Sequence, residues 1–74
     1  MENQDKRLYR LKVKEVAQQK GVSQRQLFLR SGVDIRTVRR LFHDPHTAVT
    51  VETLAKLARV LEVDVSELIE SIPE

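Results

Sequence analysis

The stretch GVSQRQLFLRSGVDIRTVRRLF, residues 21–42, has the pattern of two short helices joined by a tight turn. Ser23 and Gln26 fit a capping box, in which the side chain of each residue satisfies a free backbone N–H group of the other. Gly32 suits the left-handed conformation that ends a helix, and Asp34 is a good N-cap for the helix that follows. We therefore predict one helix that begins at Ser23 and ends at Gly32, and a second that runs from Asp34 to about His43.

The second helix of this pair has two chemically different faces. At about 100° per residue, its apolar side chains and its arginines fall on opposite sides, with Ile35 at the border between them. The apolar group is Val38, Leu41 and Phe42, and the arginine group is Arg36, Arg39 and Arg40. We interpret this helix as packed against the protein by one side while it presents arginines on the other.

An outward row of arginines on a helix is suited to DNA. Arginine recognises guanine edges and phosphates through two parallel hydrogen bonds, and a helix fits the major groove, which is about 12 Å wide. The preceding helix would cross the backbone, with the free N–H groups at Ser23 and Gln24 directed at a phosphate. Two helices joined by a short turn that contains glycine form the helix-turn-helix arrangement.

The flanking segments predict three more helices. The first runs from about Asp5 to Lys20, with Tyr9, Val13, Val16 and Ala17 at helical spacing on its inner side, and Gly21 follows it as a C-cap. Thr50 caps a fourth helix over residues 51–62, and Asp64 caps a short fifth helix that holds Leu68 and Ile69. Strands are poorly supported, because alternation occurs only around residues 60–65 and overlaps a better helical pattern. The sequence predicts an all-α, compact five-helix domain over residues 1–74, frayed at 1–4 and 71–74.

The charge of the chain is unevenly distributed. Residues 1–43 hold eleven lysines and arginines against four acidic residues, a net +7, whereas residues 44–74 hold two against seven, a net −5. A basic half beside an acidic half indicates one surface made for a polyanion. Lys6, Arg7 and Arg10 fit either a basic arm on the DNA backbone or an ordinary solvated helix start.

Several other classes of function are disfavoured. The chain has no cysteine, and neither histidine has an apparent nucleophile or carboxylate partner, so we expect no enzyme activity. A metal site at His43 and His46 is disfavoured because Pro45 interrupts the helical face between them. No glycine-rich phosphate loop is present, and we expect no cofactor and no small-molecule ligand. Short apolar runs and a polar N-terminus lead us to expect neither a membrane span nor a signal peptide.

Together with TVETLAKLARVLEVDVSELIE, residues 50–70, the stretch at 21–42 resembles the phage-repressor/Cro-like (XRE) helix-turn-helix family. The resemblance extends over roughly residues 9–70, nearly the whole chain. Its most specific parts are the pair Ser23-Gln24 and the framework of Leu27, Gly32, Val33, Val38 and Leu41. The family implies a λ-repressor-like fold and a transcriptional regulator that inserts residues 34–43 into the major groove.

The resemblance also implies roles for individual residues. It assigns base contacts to Ile35, Arg36 and Arg40, with guanine as the base most suited to the arginines and a thymine methyl to Ile35. Asp34 lies at the same surface and either caps its helix or accepts from a cytosine amino group. The remaining residues are assigned to the DNA backbone: Ser23, Gln24, Thr37, Arg39 and His43, with His46, Thr47 and Thr50 on the following loop.

A domain of this size makes few contacts, and useful specificity normally requires two copies. We therefore expect a homodimer that reads half-sites about 34 Å apart, in the cytoplasm of a prokaryotic cell. Its interface would lie on the exposed parts of the last two helices or in LIESIPE, residues 68–74. Two alternatives stay open: a DNA-binding antitoxin with a toxin partner, and a protein-interaction adaptor built on the same fold.

Overall fold

The computed structural model of the chain describes residues 8–72, and four α-helices surround one aliphatic core. A two-stranded sheet joins the beginning of the described chain to its end. In chain order the elements are β1 (Tyr9–Leu11), α1 (Val13–Gln19), α2 (Gln24–Ser31), α3 (Ile35–His43), α4 (Val51–Leu61), one 3₁₀ turn (Val65–Leu68) and β2 (Ile69–Ser71).

The core is built from side chains of every helix, and it contains no buried polar or charged residue in the described part of the chain. Leu27 of α2, Val38 of α3 and Leu57 of α4 are completely excluded from solvent. Burial of a leucine or valine side chain contributes about 1.5–3 kcal/mol, so these residues fix how the helices pack on one another. Phe28, which follows Leu27 on α2, is only half-buried at the margin of the core.

The predictions for α2, α3 and α4 are confirmed. Ser23 and Gln26 form both hydrogen bonds of the capping box, and Gly32 ends α2 with φ 76°. The Thr50 hydroxyl accepts from the Thr53 amide at 3.1 Å and caps α4. The buried face of α4 consists of Leu54, Leu57, Ala58 and Leu61.

The prediction of a first helix that begins near Asp5 is wrong for the residues that the structure describes. Tyr9–Leu11 is a strand that pairs antiparallel with Ile69–Ser71, and α1 begins only at Val13. Tyr9 and Val13 have helical spacing, and this spacing led to the wrong prediction. Leu11, between them, is 1 % exposed and belongs to the core as well. Buried residues at alternate positions are the pattern of a strand. The start of the predicted helix, residues 5–7, lies outside the described residues.

The predicted fifth α-helix is also wrong. Asp64 does cap the segment, since its carboxylate accepts from the Ser66 amide at 2.9 Å, and Leu68 is buried as expected. However, only a 3₁₀ turn forms, and Ile69 already lies in β2. Of the four C-terminal residues predicted to be frayed, residue 71 ends β2, and the amide of residue 72 donates to the Leu8 carbonyl at 3.1 Å. Residues 1–4, 73 and 74 lie outside the described part.

The fold class is therefore mostly helical, with four helices and a small sheet. None of the described helices is long and apolar enough to cross a membrane.

Candidate nucleic-acid interface

The turn between α2 and α3 is fixed by local hydrogen bonds. The Gly32 amide donates to the Phe28 carbonyl at 3.0 Å, and the Val33 amide donates to the Ser31 hydroxyl at 3.0 Å. Val33 is buried, so the turn is also anchored in the core. The caps on both sides of this turn fix where α2 ends and where α3 begins. The turn therefore holds α3 in one orientation relative to α2.

Helix α3 has the two faces that the sequence predicted. Val38 and Leu41 are buried, and Ile35 and Phe42 are half-buried at the margins. Arg36, Arg39 and Arg40 are exposed, and within residues 8–72 none of them has a carboxylate in ion-pair range; the ion pairs found there are Arg10–Glu15, Arg10–Glu70, Lys12–Glu70 and Lys56–Glu52. Three unneutralised guanidinium groups thus point away from the core along one helix.

Asp34 caps α3 at the edge of this arginine face. Its carboxylate accepts from the Arg36 amide at 3.0 Å, as the N-cap prediction requires. Such a cap stabilises a helix by about 1 kcal/mol. The carboxylate remains exposed, and its negative charge partly offsets the arginines beside it.

The beginning of α2 offers free donors beside α3. The Ser23 hydroxyl accepts from the Gln26 amide at 3.1 Å, which leaves its own proton available to a ligand. The capping box uses the Ser23 and Gln26 amides and leaves those of Gln24 and Arg25 without a backbone partner in the described chain. Gln24 is exposed. The predicted phosphate contacts at Ser23 and Gln24 are therefore sterically accessible.

The loop after α3 is held by β1, a link that the sequence interpretation missed. The Tyr9 hydroxyl lies 2.9 Å from the Thr47 carbonyl oxygen and 3.3 Å from that of His46, and the Leu11 amide donates to the Pro45 carbonyl at 2.7 Å. Asp44 closes the loop by accepting from the His46 amide at 3.0 Å. These bonds use backbone carbonyls, so the side chains of His46 and Thr47 keep their own donors.

Two side chains predicted to contact the DNA backbone, those of Thr50 and Thr37, are less available for such a contact than the sequence implied. The Thr50 hydroxyl accepts from the Thr53 amide and donates to the Thr53 hydroxyl at 2.9 Å, so its proton is already used. Thr37 is half-buried, whereas Arg39 and His43 on the same helix are exposed.

Salt bridges neutralise the basic residues of the sheet. Arg10 lies 2.6 Å from Glu15 and 3.1 Å from Glu70, and Lys12 lies 3.7 Å from Glu70. The hydrogen bonds with Glu15 and Glu70 raise the pKa of Arg10, and the bond from Arg10 lowers the pKa of Glu15. These contacts favour a structural role for Arg10 over a DNA arm. Lys6 and Arg7, the other members of that predicted arm, lie outside the described residues.

An open cleft lies where α1, the start of α2 and the end of α3 meet. Its lining contains three residues that the sequence assigned to DNA, one that it assigned to the apolar face of α3, and one that it had not singled out. The lining residues are Lys14, Gln24, Arg39, Phe42 and His43. Lys14 gave no signal in the sequence, since it is one of several lysines in a basic segment, and only the packing of α1 against α3 brings it here.

A protein-family model described as helix-turn-helix matches residues 13–68, which confirms the resemblance noted in the sequence. Among solved structures, a candidate DNA-binding protein from Bacteroides fragilis is 25% identical, with a TM-score of 0.75, over 85% of this chain and 100% of that one. The transcriptional regulator VanUg is 22% identical, with a TM-score of 0.69 and full coverage of both chains, and this similarity concerns the fold alone. No curated protein matches the sequence significantly.

Proposed function

The chain belongs to the helix-turn-helix family, and from this premise we propose that it is a sequence-specific double-stranded DNA-binding regulator of transcription. The observation that carries the proposal is the exposed arginine face of α3, whose three guanidinium groups have no carboxylate partner within residues 8–72. A surface helix without a polyanionic partner gains nothing from such an arrangement, because like charges at i,i+3 and i,i+4 repel. Insertion of α3 into a major groove would give all three guanidinium groups acceptors on the DNA.

We assign base recognition to Ile35, Arg36 and Arg40. The arginines suit guanine O6 and N7, with each good bidentate pair worth about 1–3 kcal/mol of discrimination. Contacts to the DNA backbone would come from the start of α2, from the α3 side chains beside the base-reading positions, and from the following loop. These residues are Ser23, Gln24, Thr37, Arg39, His43, His46, Thr47 and Thr50, of which Thr50 requires a rotation of its hydroxyl.

We also propose that the protein acts as a homodimer, with β2 at the interface. The Ile72 amide donates to the Leu8 carbonyl, and the Lys12 amide donates to the Leu68 carbonyl. Hydrogen-bonded and non-hydrogen-bonded pairs alternate along an antiparallel ladder, so the backbone N–H groups of Ile69 and Ser71 face away from β1. The outer edge of β1 is covered by the loop at Pro45, whereas these two amides have no backbone partner in the described chain. An open edge can pair with a second copy. Light scattering should give twice the chain mass, and Ser71→Pro should give a monomer.

The DNA-binding proposal is tested by fluorescence anisotropy with DNA from upstream of the coding sequence and with a shuffled duplex of equal composition. We expect preference for the upstream duplex, and Arg40→Ala should reduce that preference by about 1–3 kcal/mol. Lys56→Ala, a charge change on α4 outside this surface, is the control. Absence of binding to either duplex at low salt would refute the proposal and favour the adaptor alternative.

We further propose that the protein has no catalytic activity and works in the cytoplasm of a prokaryotic cell. The bacterial origin of one structural neighbour supports this setting. If the protein is instead an antitoxin, co-purification with a toxin expressed from the adjacent gene would reveal it.

A further inference from the structure

The cleft between α1, α2 and α3 has the chemistry of an anion site. Lys14, Gln24, Arg39 and His43 each carry hydrogen-bond donors, and they come from three different helices. No carboxylate of the described part of the chain lines the cleft. The half-buried ring of Phe42 forms its apolar wall. Donors from separate elements that line one space can bind a single acceptor in place of water, and two of these four side chains are a lysine and an arginine.

Lys14 differs from its basic neighbours in having no carboxylate partner among residues 8–72. Lys12, only two residues earlier, pairs with Glu70, and Arg10 pairs with both Glu15 and Glu70. Within residues 8–72 no acidic group lies in ion-pair range of Lys14, which is exposed at the cleft. Lys14 and Glu15 both line the adjoining cleft, where Arg10 neutralises Glu15 at 2.6 Å. The free ammonium group is therefore available to a ligand.

We infer that this cleft holds one phosphodiester group of the DNA backbone, and that Lys14 is a phosphate-contacting residue alongside Gln24, Arg39 and His43. The inference rests on the proposed function, because it places the phosphate beside the groove that α3 enters. Arg39 precedes the base-reading Arg40 in the chain, so a phosphate held here fixes how deep and at what angle α3 lies in the groove. Phosphate contacts of this kind set register without reading sequence.

The experiment measures DNA affinity across a salt series for the wild type, Lys14→Gln, Lys14→Arg and Lys20→Gln. Lys20 is the matched control, since it is an exposed lysine at the end of the same helix but outside the cleft. A phosphate contact contributes about 0.9 to the slope of log affinity against log salt. We expect Lys14→Gln to lower the magnitude of that slope by about 0.9, so that raising salt from about 50 to 200 mM weakens binding about threefold less than in the wild type.

Lys14→Arg and Lys20→Gln should keep the wild-type slope, and preference for the upstream duplex over the shuffled one should be unchanged in every lysine variant. The phosphate site would be overturned if Lys14→Gln kept the wild-type salt slope. It would also be overturned if Lys20→Gln or Lys14→Arg lowered the slope as much as Lys14→Gln does. If Arg40→Ala abolishes sequence preference in the same series, the proposed function stands when the phosphate site fails. Absence of wild-type binding would overturn both.

Discussion

Replacement of Tyr9 by phenylalanine tests whether β1 holds the loop that follows α3. The substitution keeps the ring packed against the core and removes only the hydroxyl, which lies 2.9 Å from the Thr47 carbonyl oxygen and 3.3 Å from that of His46. The shorter distance is that of a full hydrogen bond, and the longer one adds little. A neutral intramolecular hydrogen bond contributes about 0.5–1.5 kcal/mol to stability. We expect Tyr9→Phe to lower the melting temperature by about 4–8 °C, the shift that corresponds to about 1 kcal/mol in a domain of this size.

The same variant should weaken DNA binding without altering sequence preference. If the released loop loses one hydrogen bond to a phosphate, about 1 kcal/mol, the affinity falls about fivefold. Circular dichroism gives the melting temperature, and anisotropy gives the affinity for the upstream and shuffled duplexes. Val60→Ala is the control, because it removes two methyl groups from a partly buried residue of α4 and leaves the loop hydrogen bonds intact. An unchanged melting temperature in Tyr9→Phe, or an equal loss of affinity in Val60→Ala, would refute the role given to the hydroxyl.

Three further substitutions address the turn, the cap and the sheet. Gly32→Ala should destabilise the protein by about 1–2 kcal/mol, measured by urea denaturation, because φ is 76° while the position of the added Cβ is unobstructed; a wild-type midpoint would contradict this. Asp34→Asn should keep the melting temperature, since asparagine caps as well as aspartate, and should strengthen DNA binding by removing a negative charge beside the arginines. The bond from Arg10 lowers the pKa of Glu15, so this carboxylate contributes stability above its ordinary pKa of 4.5 and loses it as the pH falls. Glu15→Gln should therefore show a shallower loss of stability on acidification below about pH 4.5, and a curve parallel to the wild type would exclude the pair as its cause.

The helix-turn-helix and its arginine face were predictable because their signals are local. The Ser23–Gln26 box, the positive φ at Gly32 and the Asp34 cap each depend on residues within three positions. The separation of arginines from apolar residues on α3 depends only on helical period. These features do not depend on how the rest of the chain folds, and each of them is present in the structure.

The sheet was not predictable because its partners lie about sixty residues apart in sequence. Arg10 pairs with Glu70, and each strand has only three residues, too few for alternation to compete with a helical pattern. The same limit applies to the cleft at Lys14, which exists only because α1 packs beside the end of α3. Sequence periodicity gives the face of a helix, but it does not say which other helix lies next to that face.

The sheet also determines where positive charge remains. Ion pairs neutralise the basic first part of the chain unevenly. Glu70, from the acidic second part, pairs with Arg10 and Lys12. The acidic residues of the segment after α4 have their own partners or solvent, as in Asp64, whose carboxylate accepts from the Ser66 hydroxyl at 2.6 Å. Within residues 8–72, the arginines of α3 are thus left unpaired while Arg10 and Lys12 are neutralised. The exposed guanidinium groups of α3 attract a polyanion before contact, within about 8–10 Å at physiological salt. The proposed DNA-binding surface therefore depends on ion pairs formed elsewhere in the fold as well as on α3 itself.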